Sequence, residues 1–488
     1  MLFKHFVDLI ELKILFFLRK TVLLYNPKAV FFDMPLALLA IGSVLDKEKY
    51  EVIIVDGRID EDPLGIIKIH LKNAICFGVT ALTGKPIKDA LEITNKVKEL
   101  RNDIPVIWGG WHTSLFPEQT LKDEKNITIT VQGQGEQTFK ELVNAIDNEL
   151  PLDNINGICY RNEQGEIVKN QARVIMPMDT FADVDYDLID VEKYFKKKGK
   201  RQLDYISSTG CHFRCSFCAD PFVYNRKWTS VSPEVMVSKL EELYHKYHFT
   251  DLNLQDETYF TFRDRVVEIA RKIVERKLKF TWAATMRADQ GSRLSDDDFN
   301  LCAQSGLRRL LIGVESGSQE MMDWLKKDIK MEQVLICAER CKKLGIAVIF
   351  PFIVGFPEET DKSVHATIGL AKKLNSMHPD FSTPIFYFKP YPGSSITDEV
   401  IKKGYVLPKT IHEWSDFDYI GSSGPWVSTE KYNFFEKYKF YLKLAYSRQN
   451  PLYRPVQVLA KLRCKYQFFS VPFEKKLAEL VFAKQQLS

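Results

Sequence analysis

Twice along this chain, apolar runs of strand length alternate with stretches of helix length, which narrows the fold to two successive α/β units. The first alternation places strands at 22–25, 52–55, 75–79, 106–108 and 127–131, with helices such as 86–101 and 136–147 between them. It predicts a doubly wound, parallel, five-stranded sheet. The second places strands at 203–207, 251–255, 280–285, 310–314, 347–354 and 380–388. Six βα units fall short of the eight of a closed barrel, so a partial (β/α)6 barrel is expected.

The organisation that follows is an amphipathic helix over 1–20, the first α/β domain over 21–149, a linker over 150–200, the partial barrel over 201–394 and a helical region over 395–488. The first helix either packs on the next domain or lies on a membrane surface, since Lys4, Lys13, Arg19 and Lys20 accompany its apolar residues. The linker carries a hairpin turning at 162–165 and an acidic run, and reads as solvated. Lys and Arg number 68 against 64 Asp and Glu, a net charge of +4 that gives no reason to expect a nucleic-acid partner. No uncharged apolar run is long enough for a transmembrane helix, and no secretory signal is recognised. A reducing cytoplasm is the expected location, with room for peripheral contact at the inner face of the membrane.

Of nine cysteines, six are scattered among apolar neighbours and read as buried thiols. The other three form a C-x3-C-x2-C run: Cys211, Cys215 and Cys218, directly after the first barrel strand and the Gly210 turn. Three thiolates do not close a tetrahedral zinc site, although His212 would supply a fourth, awkwardly adjacent, ligand. They can hold three irons of a 4Fe–4S cluster and leave the fourth iron open.

In this run and its place the chain resembles the radical S-adenosylmethionine (SAM) superfamily. The resemblance implies that Cys211, Cys215 and Cys218 bind the cluster and that SAM chelates the fourth iron. One electron would then split SAM into methionine and a 5′-deoxyadenosyl radical, chemistry that belongs to the cofactors. Phe217 takes the position that lines the SAM adenine. Asp256 and Glu257 stand where the family often has a Gly-Gly-Glu-like segment for the SAM amino group. Arg287 closes the third strand and could pair with the SAM carboxylate. Glu315 closes the fourth and could accept from the ribose or amino group. Ile353 and Gly355 match the tail of the family's G-x-I-x-G-x-x-E adenine motif, with Pro351 in place of its first glycine.

A five-stranded sheet before such a barrel resembles the cobalamin-binding domain of cobalamin-dependent radical SAM enzymes, the group of the anaerobic magnesium-protoporphyrin ester cyclase and the class B methyltransferases. The family's D-x-H-x-x-G is absent: the first strand runs into Asn26, Pro27 and Lys28, without the axial histidine, and the resemblance leaves Asn26 as the cofactor-binding residue there. Thr80-Ala81-Leu82 stands for S-x-L, Gly109-Gly110 is intact, and Gly133, Gly135 and Glu136 would complete the tail pocket. His112 follows the wrong strand for cobalt and reads as a packing residue. A sheet that no longer holds cobalamin stays open. A dinucleotide site is not supported, since no G-x-G-x-x-G follows the first strand.

The resemblance implies a 4Fe–4S cluster, SAM and cobalamin as cofactors, and methyl transfer to an unactivated carbon of a small or lipid-like molecule. An electron donor of the flavodoxin or ferredoxin kind is implied as partner. Radical cyclisation, rearrangement or carbon–carbon coupling, with or without cobalamin, are the alternatives, and a non-catalytic iron–sulfur redox protein is a remote one. Tyr387 and Tyr391, at the end of the last strand, could donate a hydrogen atom or bind substrate, or be aromatic core. The aromatic, basic stretch over 432–469 reads as helical packing, or as an apolar groove with a basic rim that would suit a lipid.

Overall fold

The computed structural model describes residues 19–181, 183–417, 424–446, 454–469 and Glu474. The amphipathic helix expected over 1–20 lies outside them apart from its last two residues, and Lys20 opens the first strand.

Strands β1 (Lys20–Asn26), β2 (Tyr50–Asp56), β3 (Ala74–Thr80), β4 (Val106–Gly109) and β5 (Ile129–Val131) are parallel, in the order β2-β1-β3-β4-β5. The run from Val22 to Tyr25 is wholly buried, because helices cover both faces of a parallel sheet. The sheet has seven strands, not the five expected. The hairpin of β6 (Ile158–Arg161) and β7 (Ile167–Lys169) adds antiparallel to the free edge of β5. An open edge exposes unpaired N–H and C=O groups, and the hairpin satisfies them. Its turn residues show that two strands pair with each other but not which third strand they join.

The acidic run of the linker faces solvent, with Asp179, Asp183, Asp187 and Asp190 exposed, but the chain that carries it is pinned at several points. Asp185 and Asp190, part of the acidic run, are helix caps that accept backbone N–H groups of Asp187 and of Glu192 and Lys193. Between and after them Tyr186, Tyr194 and Phe195 are buried in the core of the second unit. The Tyr194 hydroxyl donates to Asp56 of β2 at 2.6 Å, so the linker fastens one sheet to the other.

The second unit contains β8 (Gln202–Tyr205), β9 (Ser208–Gly210), β10 (Trp228–Ser230), β11 (Asp251–Leu254), β12 (Thr281–Met286), β13 (Leu307–Ile312), β14 (Ala347–Ile349), β15 (Phe352–Val354), β16 (Phe381–Ser382) and β17 (Ile385–Tyr387). Six of them form a parallel sheet in the order β8-β11-β12-β13-β14-β16, and β9 with β10 makes a small antiparallel pair. The strands expected at 347–354 and 380–388 are each split by a proline, Pro351 and Pro384, which has no N–H to donate. The direction continues across the break. The Phe350 N–H donates to the Ser382 carbonyl and the Phe352 N–H to the Pro384 carbonyl, which leads into the parallel β15–β17 pair.

The region after the last strand divides. A helix at Ile411–Ser415 returns to the first sheet, where Ile411 and Trp414 join the core under β3 and β4. Helices Thr429–Tyr446 and Arg454–Tyr466 pack instead on the second unit, through Phe435, Tyr438 and Tyr441.

Candidate functional site

The cysteine run occupies the loop between β9 and β10. Gly210 enters it at φ +81°, and a Cβ there would collide with the Lys227 carbonyl, so the entry requires glycine. Cys211 is buried and its thiol is pushed up to about 11, chiefly by that burial. Cys218 is pushed well above its usual value for the same reason. Among the described residues, no three His, Cys, Asp or Glu side chains are gathered closely enough to hold a metal ion. The ligands of a tetrahedral zinc stand about 3.8 Å apart, by the Zn–S distance. By number and type the three thiols suit an iron–sulfur cluster that leaves one iron open, and the His212 ring packs on Phe213 at 4.2 Å.

Buried charge surrounds this loop. Arg287, at the end of β12, is 5% exposed. Its guanidinium lies 3.6 Å over the Phe213 ring, donates to Asp289 and to the Lys327 carbonyl, and reaches Cys215 Sγ at 3.5 Å. These donors are therefore engaged at the cysteines. Glu315, just past β13, adopts φ +63°, which non-glycine residues rarely do. Its carboxylate pairs with buried Lys327 at 2.7 Å. Burial pulls Lys327 down, but Glu315 and Cys215 outweigh it and hold the ammonium above its usual value. Phe217 lies under that ammonium, 5.7 Å away, and packs edge-on against Phe356, whose cluster Ile353 also joins. Lys327 was not singled out from the sequence, because nothing distinguishes it from surface lysine in its Leu-Lys-Lys-Asp run.

Asp256 and Glu257 differ although adjacent. Asp256 accepts from the Ser207 N–H at 2.8 Å and from the Ser207 and Ser208 hydroxyls, so it braces the turn between β8 and β9. Glu257 is half-buried, and burial with nearby Asp220 raises its carboxyl to about 8. The glutamate of the adenine-like motif, Glu358, points outward to Lys403. Its neighbour Glu359 instead accepts the Gly355 N–H at 2.6 Å and is raised by burial to about 7. Gly355, at φ +78°, is covered by Trp426, whose indole donates to its carbonyl at 2.6 Å.

The carboxyl end of the first sheet is built mainly from backbone. Ala81 N–H donates to the Gly109 carbonyl and His112 N–H to the Ala81 carbonyl, tying the β3 and β4 turns together. Gly110 has φ +96°, and a Cβ there would stand 2.9 Å from the Ala81 oxygen. Around Gly133 nothing lies within 4 Å of a Cβ position. The Ser114 hydroxyl links both turns, donating to the Gly110 carbonyl and accepting from the Gly133 N–H. Thr80 is beside Gly110, and Leu82 is 45% exposed at the rim. Gly135 leads into the helix Glu136–Asp147, and burial raises the Glu136 carboxyl. Asn26 does not join them; its amide donates to Asp56 at 3.0 Å. His112 is buried against Phe116 and Trp414, beside Thr83, and burial lowers its imidazole to about 4.

The two carboxyl ends meet. Trp111, next to Gly110, packs edge-on against Tyr224 at 6.0 Å, and Tyr224 follows the cysteine loop. Tyr224 also feels the charges of Glu257, Asp220 and Glu136, so acids from both units converge on it. Of the two tyrosines expected to act on substrate, Tyr391 packs on Phe417 against the first unit. Tyr387 is buried in the barrel, its hydroxyl donating to Glu436 at 2.9 Å. The larger of two described concavities lies at Leu71 and Leu100, the carboxyl ends of the helices that lead into β3 and β4, away from the carboxyl ends of those strands, so volume alone does not locate the site.

Comparison with known proteins agrees with both units. Residues 28–143 match the B12 binding domain and residues 205–371 the radical SAM superfamily. An uncharacterized methyltransferase of Pyrococcus horikoshii is 28% identical over 389 residues, 79% of this chain and 82% of the relative. The anaerobic magnesium-protoporphyrin IX monomethyl ester cyclase of Rubrivivax gelatinosus is 28% identical over 358 residues, covering 72% of this chain and 63% of its own. Among solved structures, the radical S-adenosylmethionine methyltransferase TsrM of Kitasatospora setae shares the fold, with a TM-score of 0.69 at 20% identity over 79% of this chain and 76% of that one.

Proposed function

We propose, for a chain that is a radical SAM enzyme with an amino-terminal B12-binding domain, that it methylates an unactivated carbon of a small or lipid-like substrate held between its two units. The contact of Trp111 with Tyr224 carries this reading, because it brings the glycine turns of one unit against the cysteine loop of the other. When bound, the cluster delivers an electron to SAM for radical chemistry and cobalamin carries the methyl group.

The residues divide the work. Cys211, Cys215 and Cys218 hold the cluster, and Arg287 steadies the Cys215 thiolate with an N–H directed at sulfur. Phe217 and Ile353 flank the SAM adenine, with the Glu315–Lys327 pair offering a carboxylate and an ammonium beside it. Glu257, protonated at neutral pH by its raised pKa, can donate a hydrogen bond without adding charge. Asp256 positions the loop, and Glu359 positions Gly355. Gly109, Gly110 and Gly133 let a broad ring approach the backbone, with Thr80 and Leu82 at its rim and Gly135 and Glu136 at its tail. His112 stays neutral in its aromatic niche and is not a cobalt ligand. Tyr387 belongs to the core, and Tyr391 lines the seam between the units. A flavodoxin- or ferredoxin-like protein supplies electrons.

Anaerobic reconstitution with iron, sulfide and hydroxocobalamin tests the proposal. About four irons and one cobalamin per chain are expected, followed by label transfer from methyl-labelled SAM to a carbon acceptor. Iron without cobalamin would overturn the methylation reading. The similarity to the ester cyclase supports radical cyclisation as a second reading, distinguished by a product that gains no methyl mass.

A further inference from the structure

The helix Arg454–Tyr466 buries Ala460, Arg463 and Cys464 against the protein. Along its other side, at four-residue steps, Val458, Leu462 and Tyr466 are 57%, 45% and 67% exposed, and Phe468 just beyond is 60% exposed. A helix on the surface of a globular protein ordinarily turns polar residues to water. Here the residues sharing the outward side with the apolar row are Arg454, Lys461 and Lys465, all exposed.

The basic character extends onto the neighbouring helix Asp361–Met377. Lys461 and Lys465 line a concavity of about 280 Å³ with Lys372, Lys373, Ser376 and Tyr446. No acid is among the residues that line it, and on the adjoining segments Asp361 pairs with Lys431, Glu436 with Lys439 and Glu474 with Arg463. Among the described residues the four lysines thus form a surplus of positive charge beside an apolar row.

We propose that this face docks on an anionic lipid bilayer, with Val458, Leu462, Tyr466 and Phe468 entering the headgroup boundary and the four lysines meeting lipid phosphates. An in-plane helix that combines apolar and basic side chains on one exposed side has the composition of an interfacial anchor, and each lysine near an anionic surface adds attraction. A second copy fits less well, because a two-fold contact would press the same lysines together. Nucleic acid would use the charge but leave the apolar row in water. The inference is independent of the catalytic reading.

The test is flotation of the full-length, cluster-reconstituted chain with vesicles of phosphatidylcholine alone or mixed with phosphatidylglycerol. Binding to the anionic vesicles only, weakened by salt, is expected. Lys461→Glu with Lys465→Glu should weaken it at least about tenfold. Val458→Ser with Leu462→Ser should weaken binding to the anionic vesicles as well, while SAM cleavage in detergent-free buffer stays unchanged. Both variants alter exposed side chains, and circular dichroism verifies their folding. No flotation, equal flotation of the variants, or flotation abolished by millimolar inorganic phosphate at constant ionic strength would overturn the proposal. So would a concentration-dependent dimer that the same variants dissolve.

Discussion

The first sheet presents glycine turns and an imidazole kept neutral at its carboxyl end, whereas the barrel presents an arginine, a lysine and carboxylates buried around three thiols. One end is shaped by where side chains are missing, the other by where charge is enclosed. The difference follows from the groups each would hold. A broad, preassembled ring needs backbone brought close and little neutralisation, while a cluster with SAM concentrates charge that must be matched inside a low dielectric.

Removal of a thiol strikes the charged end hardest. Cys215→Ala should reduce reconstituted iron from about four per chain to near background, while cobalamin uptake measured by visible absorption persists. Retained iron would mean that the barrel is not organised around this loop. At the other end, Gly110→Val places a Cβ against the Ala81 carbonyl in a backbone conformation unsuited to valine. Hydroxocobalamin affinity should fall by about a hundredfold, roughly 2.7 kcal/mol, with iron content unchanged. If both cofactors are lost together, the two ends are not separate devices.

A smaller and more diagnostic effect is expected at the buried pair. Lys327→Met alone leaves Glu315 uncompensated and should cost about 3–5 kcal/mol in denaturant melts. The double variant with Glu315→Leu should cost less than either single change. Equal costs would place the pair in water and erase the contrast between the ends.

The finest distinction is the sign of pH dependence. His112 has its folded pKa lowered from 6.5 to about 4. The unfolded chain takes up that proton first as pH falls, so its contribution to stability is present above pH 6.5 and lost toward pH 4. Glu257 is raised from 4.5 to about 8, so the folded form holds its proton longer and stability is lost as pH rises from 4.5 to 8. Thermal melts of His112→Phe should flatten the acid limb and those of Glu257→Gln the alkaline limb, by about 2–4 °C each. Swapped limbs would overturn the assignment of environments.

Much of this is legible in the amino-acid sequence. The strand runs, the glycines after β4 and the three cysteines act through local backbone and short spacing, and periodicity reports such features directly. Lys327 and Trp414 were not legible, because Lys327 gains its role only by being buried against Glu315 and Trp414 lies on a return path the pattern does not trace. Glu359 was passed over for its neighbour Glu358, since local spacing does not say which of two adjacent carboxylates turns inward to Gly355. The hairpin over 158–169 shows the same limit. Its turn was evident, but its place on the edge of the first sheet was not.

The sequence by itself determined two α/β units, the loop that holds the thiols and the glycine turns, since chain spacing and the absence of a Cβ are local properties. Only the tertiary structure decided that Trp111 beside the Gly110 turn meets Tyr224 near the cysteine run, that Asp256 braces a turn while burial raises the Glu257 carboxyl to about 8, and that Tyr387 is core. Burial and charge pairing depend on which distant segments pack together, and that is settled by the whole fold.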